Sequence, residues 1–220
     1  MRIWLRDNGL SIALATLFAA SLTGHILAGY AAQNETRLEH GQAAILIGQY
    51  LTGGPFLSSL FENWESEFLQ MGAYVTLTAY LFQRGSPESK DPDETAPQDR
   101  DPALDARTAG APWPVRAGGL ARTLYAHSLG LTLFLLFAIS FTLHWINSTR
   151  AAAEEAMQHG RPPPGLMAHL GDAGFWFESF QNWQSEFLST GVLIVLAIFL
   201  RERGSPESKP VSAPHRRTGA

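Results

Sequence analysis

Two histidines and two glutamates in this chain recur at one constant offset. His25 and His144 are 119 residues apart, and so are Glu67 and Glu186. Asn63 and Asn182 keep the same offset. Imidazole titrates near neutral pH and a carboxyl can be brought there by apolar surroundings, so such a set could pass protons. Two histidines at one depth could also ligate a haem iron. An outer set repeats in the same way, Glu35 with Glu154 and His40 with His159. Imidazole with carboxylate is a donor set for a divalent metal. The spacing fits no strong metal motif, so a solvated loop explains the outer set equally.

The offset is a property of the chain, not of these residues alone. FENWESEFLQMG at Phe61 to Gly72 returns as FQNWQSEFLSTG at Phe180 to Gly191, and RGSPESK at Arg84 to Lys90 returns at Arg203 to Lys209. From Leu10 to Lys90 the two copies align without a gap. This is an internal duplication, and each copy holds two apolar stretches separated by a polar loop.

The apolar stretches must position the histidines and glutamates. Leu10 to Ala32 and Ser128 to Ile146 carry no charge outside His25 and His144, and each is long enough as a helix to cross a hydrocarbon core of about 30 Å. Leu69 to Phe82 and Leu188 to Leu200 are shorter and need the preceding FENWESEF or FQNWQSEF turns to complete a crossing. The expected fold is therefore an all-α membrane protein of four transmembrane helices, arranged as two tandem helical hairpins. Leu10 to Ala32 also has the look of a secretory signal after Arg2 and Arg6. Its mid-chain counterpart at Ser128 argues for a retained span.

Basic residues set the orientation. Arg84, Lys90, Arg100, Arg107, Arg116 and Arg122 lie between the hairpins, and five more come after the fourth stretch, whereas the two other loops hold only Arg37, Arg150 and Arg161. Both termini and the middle are thus expected in the cytoplasm. We expect a first two-helix repeat over 1–90, a disordered linker over 91–119, a second repeat over 120–209 and a disordered tail over 210–220. The linker's KDPDETAPQDRDPALDAR buries too little apolar surface to order itself.

Residues shared between copies mark a packing face on the first helix: Leu10, Leu14, Leu17, Phe18, Ser21 and His25, matching Leu129, Leu133, Leu136, Phe137, Ser140 and His144. On the second helix Phe56, Leu60, Phe61, Trp64, Phe68 and Met71 form an apolar stripe, with Glu62, Glu65 and Ser66 opposite and Glu67 at the stripe's edge. Glu62 and Glu65 become Gln181 and Gln184, while Glu67 stays acidic as Glu186. Depth places His25 roughly 22 Å along its span and Glu67 near the outer surface. The expected site is a layer of two pairs, His25 with Glu67 and His144 with Glu186, beside Asn63 and Asn182. An interhelical polar pair is also ordinary packing glue.

Composition narrows the function classes. A net charge of −4 is too small to imply a nucleic-acid partner. With no cysteine, disulfides and thiolate metal sites are excluded. No nucleophile elbow, phosphate loop or dinucleotide fingerprint appears, so the sequence gives no support for an enzyme and calls for no cofactor.

RDNGLS near the N-terminus, FENWESEFLQMGAYV and LFQRGSPESKDPD together resemble a family of small bacterial multi-pass membrane proteins classed as a domain of unknown function. The resemblance covers nearly the whole chain and implies a bacterial cytoplasmic-membrane location. It assigns no substrate or catalytic residue. The leading expectation is a structural or interaction protein of the envelope, with the lipid bilayer as its certain partner and a protein partner or second copy left open. The alternatives are a small transporter or channel using the His and Glu layer, and a haem or metal carrier.

Overall fold

A computed structural model describes residues 2–219, so Met1 and Ala220, the ends of the first repeat and of the tail, lie outside it. The described residues form helices and turns without a strand: α1 (Arg2–Asp7), α2 (Gly9–Glu39), α3 (Ile47–Leu51), α4 (Gly54–Thr78), α5 (Trp113–Ala117), α6 (Gly119–Ala126), α7 (Ser128–Gln158), α8 (Leu166–His169) and α9 (Ala173–Phe199). Three helices, α2, α7 and α9, are long and apolar enough to cross a membrane. The expected fourth span, α4, is a 25-residue helix. It carries three acids, Glu62, Glu65 and Glu67, where α9 has Gln181, Gln184 and Glu186. It also stops at Thr78, so the apolar Tyr80 to Phe82 lie beyond it.

Helix ends follow local chemistry. Both α2 and α7 run 31 residues and end on a glycine in the left-handed region, Gly41 at φ 71° and Gly160 at φ 65°. Past each glycine the chain closes back, Gln42 N–H on Arg37 O and Arg161 N–H on Ala156 O, both 2.8 Å. Those bonds satisfy carbonyls that the last turn leaves open. The two RGSPESK segments also share one local structure. Gly85 and Gly204 sit at φ 88° and 89°, and Ser89 and Ser208 each accept from a backbone N–H six residues earlier at 2.9 Å. Serine hydroxyls serve such turns because they can bond the nearby backbone.

The chain divides into two compact units, one formed by residues up to Phe61 with Leu143–Phe175, the other by Glu62–Thr142 with the residues from Trp176 onward. In the first unit Tyr50 and Phe56 are buried, their rings 5.1 Å apart, with Tyr30 5.8 Å from Tyr50. α4 enters there at Gly54, whose missing side chain admits the backbone of Ala151 and the Arg150 Cβ. In the second unit Gly72 of α4 lies against the Phe134 ring of α7, and Trp183 of α9 packs edge-on to Phe137.

Three segments carry contacts that composition does not announce. The tail is docked in the second unit: the buried Lys209 ammonium donates to the carbonyls of Gly85, His215 and Arg217, and Gly85 N–H donates to Thr218 Oγ1 at 2.9 Å. Three carbonyls match the three protons of an ammonium group, which is how this polar segment docks without an apolar core. The linker holds a 3-10 turn at Pro97–Asp99 and the short α5, with ion pairs Arg84–Asp93 (2.6 Å), Lys90–Asp99 and Arg100–Asp105 (3.0 Å). The charges that predict disorder find local partners. The shared packing face also divides: Leu133, Ser140 and His144 are buried on α7, while Leu14, Leu17 and Phe18 on α2 are exposed.

Gly54 and Gly24 provide a stability test. A Cβ at Gly54 would meet Ala151 N at 2.6 Å, while one at Gly24 meets nothing within 4 Å. Gly54→Ala should lower stability by about 1–3 kcal/mol through overpacking. Gly24→Ala should leave it unchanged or raise it by about 1 kcal/mol, because a helical glycine costs backbone entropy. Thermal unfolding in detergent, with equal melting temperatures as the contrary result, decides between them.

Candidate functional site

The strongest polar constellation lies in the second unit, between α4 and α9. Glu65 is fully buried. Its Oε1 accepts from Ser179 Oγ at 2.9 Å and from the Trp183 indole N–H at 3.3 Å. One turn earlier, the Asn182 amide donates to Glu62 Oε1 at 2.5 Å and to the Glu178 carbonyl at 3.3 Å. Carboxylate oxygens of Glu62 and Glu178 lie within 4.8 Å of each other. Further along, Gln70 donates to Thr190 Oγ1 at 2.6 Å. The ladder is thus built from positions 62, 65 and 70 of α4 facing 178, 179, 182, 183 and 190 of α9. An i, i+3 or i, i+4 spacing puts each set on one helical face. An aromatic wall lies beside it, with Trp176, Phe180 and Trp183 in mutual ring contact at 5.3–6.4 Å.

Of the expected layer, this arrangement uses Asn182. His25 is half-buried, shares a 3.0 Å hydrogen bond with Ser59 Oγ and packs 5.4 Å from the Phe56 ring. Its expected partner was Glu67, which is exposed, as is Asn63. His144 is fully buried with its ring 4.9 Å from Phe175. Each histidine therefore rests on the phenylalanine of its own repeat. Glu186 is half-buried. The reason for the changed ranking is the direction of burial. An apolar stripe on a helix in lipid can face outward, and the polar edge with Glu65 and Ser66 then faces a neighbouring helix.

The outer set lies in the first unit. Glu35 is exposed on α2. Glu154 is half-buried on α7 and lines a cavity of about 440 Å³ with Gln33, Arg37, Gln42 and Gln158. His40 and His159, at the ends of α2 and α7, stand with ring centroids 6.0 Å apart. Sequence reading also passed over His169, which is buried and bonded through Nε2 to Ser148 Oγ at 2.8 Å. Glu62 and Glu65 could have been flagged by polarity within a spanning length. Glu178 and Ser179 gave no such signal, because their counterparts are Ser59 and Leu60.

Beyond α4 and α9 the two RGSPESK loops bring a second pair of acids together. Glu88 is half-buried and accepts from the Tyr74 hydroxyl at 2.8 Å. Burial, and then its hydrogen bond with Glu207, push the Glu88 carboxyl above the usual carboxylate range, against the opposing pull of Tyr74. Glu207 is Glu88's counterpart 119 residues on.

The site and fold define an all-helical protein with three helices long and apolar enough to cross a membrane and an acid-bearing polar ladder joining α4 to α9. The chain belongs to the family described as a domain of unknown function, DUF6766, which matches residues 1–220. No curated protein and no solved structure matches the chain.

Two measurements check these contacts. Glu65→Ala should cost about 1–3 kcal/mol, because it strips the acceptor from two buried donors. In a double-mutant cycle Glu65→Ala and Ser179→Ala should couple by about 0.6 kcal/mol, the average for polar contacts between membrane helices. Glu67→Gln should be neutral, and a larger loss at Glu67 than at Glu65 would overturn this ranking. For Glu88 the folded state holds a proton that the unfolded state has released, so stability is greatest below the ordinary carboxylate pKa and falls as pH rises toward the raised value. Glu88→Gln should flatten that slope in melting curves taken across acidic to neutral pH. An unchanged slope would remove Glu88 as its source.

Proposed function

We propose that this protein is a non-enzymatic structural or interaction protein of the bacterial inner membrane. It crosses the bilayer four times as two tandem hairpins, with both termini and the linker in the cytoplasm. The observation that carries this reading is the fully buried Glu65 carboxylate, satisfied by Ser179 and Trp183 of another helix. Its ligands are the protein's own side chains, as in a helix clamp, and removing water from the pair strengthens it. The four-span duplication is supported by element starts at one offset: α2 and α7 begin at Gly9 and Ser128, and α4 and α9 at Gly54 and Ala173. The twofold recurrence of the glycine stops and serine turns supports it further. α4 would cross by burying its acids against α9 and presenting Phe61, Trp64 and Phe68 outward.

A second reading is favoured by one distance. Carboxylate oxygens of Glu62 and Glu178 approach within 4.8 Å, and paired acids along a spanning helix are candidates for a proton path. Such a pair could serve a proton-linked transporter.

The absence of cysteine makes the topology directly testable. Single cysteines at the exposed positions Thr108, Met157 and Ser212 should react with an impermeant maleimide in intact cells only at Met157. Labelling at Thr108 or Ser212 would place the linker or tail outside. Reconstituted protein should show no proton flux. Flux abolished by Glu62→Gln or Glu178→Gln would replace the scaffold reading with transport.

A further inference from the structure

We propose that His40 and His159 together bind one late divalent transition metal, Zn²⁺, Cu²⁺ or Ni²⁺, joining the ends of α2 and α7. The two rings belong to the same compact unit, with centroids 6.0 Å apart and planes at 71°. With metal–nitrogen bonds of about 2.0–2.1 Å, two imidazoles sharing one ion hold their centroids roughly 5–6.5 Å apart. The observed separation falls inside that range.

Hydrogen bonding fixes the chemistry of both rings in the same sense. His40 Nδ1 lies 2.8 Å from Thr36 O, and His159 Nδ1 lies 2.9 Å from Glu155 O. A carbonyl oxygen only accepts, so each Nδ1 carries a proton and Nε2 is the nitrogen left to bind a metal. Metal-binding histidines are oriented in this way, with the far nitrogen donating to a carbonyl or carboxylate. Here the orienting carbonyls are those of the last helical turn, held in place by the glycine stops at Gly41 and Gly160. Both rings are exposed, so an ion can reach them without opening the fold.

The ligand class is set by the donors. Two neutral imidazoles suit Zn²⁺, Cu²⁺ and Ni²⁺, whereas Mg²⁺ and Ca²⁺ demand oxygen ligands. Water completes the coordination sphere, and affinity should be moderate and lost on acidification as protons compete for Nε2. An ion held between residues 40 and 159 would cross-link the first and second sequence repeats, independently of how the chain lies in a membrane.

Isothermal titration of the full-length protein in detergent with ZnCl₂ should show one ion per chain, with no competition from excess MgCl₂ or CaCl₂. Cu²⁺ added to the same protein should give an electron paramagnetic resonance spectrum with hyperfine structure from two imidazole nitrogens. His40→Phe and His159→Phe keep an aromatic ring for packing and remove the ligand. Each should retain the melting temperature of the parent and weaken Zn²⁺ binding about tenfold or more. The double variant should bind no Zn²⁺ at this site. Unchanged titration in the double variant, or a copper spectrum with fewer than two nitrogens, would overturn the proposal. So would a phenylalanine variant that binds Zn²⁺ as the parent does.

Discussion

A buried carboxylate must be supplied with hydrogen-bond donors or with a proton, and once buried it takes neither from solvent. Glu65 meets that demand with the Ser179 hydroxyl and the Trp183 indole, and this requirement organises the second unit. It sets which face of α4 turns toward α9, because only the face carrying Glu62, Glu65 and Gln70 can reach the donors at 182, 179 and 183 and the acceptor at 190. It also fixes longitudinal register. Sliding one helix by a turn would put donors opposite carbon and leave a buried acid unsatisfied.

The two repeats differ where this contact requires them to differ. Glu62 and Glu65 correspond to Gln181 and Gln184, while Ser59 and Leu60 correspond to Glu178 and Ser179. Glu62 and Glu65 supply the acceptors for the Asn182 amide, the Ser179 hydroxyl and the Trp183 indole, while Gln70 donates in the other direction to Thr190. The contact thus joins non-equivalent faces of the two segments, since 178, 179, 182, 183 and 190 align with 59, 60, 63, 64 and 71 and not with 62, 65 and 70. Glu62 with Glu178 is the place where acids still approach.

Much of the architecture is legible in the residues themselves. Apolar length marks α2, α7 and α9, and Gly41 and Gly160 mark the stops of α2 and α7 through the left-handed conformation that glycine adopts without steric cost. The site is less legible because a helical wheel gives the angle of a face and not what covers it. Phe61, Trp64 and Phe68 read as a core by the rule for soluble proteins, yet Glu65 and Ser66 are the buried residues. Positions shared by both repeats mark the site only in part, since Asn182 and Trp183 match Asn63 and Trp64. Glu67 is shared and exposed, whereas Glu178 and Ser179 exist in one copy only.

The same logic governs the RGSPESK loops, where an identical motif acquires different partners from the residues downstream of each copy. Each loop folds by its own glycine and serine bonds, which are local and therefore survive in both copies. The lysine that ends the motif reaches farther. Lys90 donates to Ala79 O and pairs with Asp99 of the linker, while Lys209 is buried among the carbonyls of Gly85, His215 and Arg217. An ammonium group has three protons to place, and a buried one must place them all. Where the chain continues into an acidic linker, a carboxylate takes part of that role. Where it continues into a short polar tail, the tail folds back and backbone carbonyls take it, including Gly85 from the other loop. The second lysine thereby ties the tail to the first motif, and composition alone, which reads the tail as a solvated polar segment, carries no trace of that requirement.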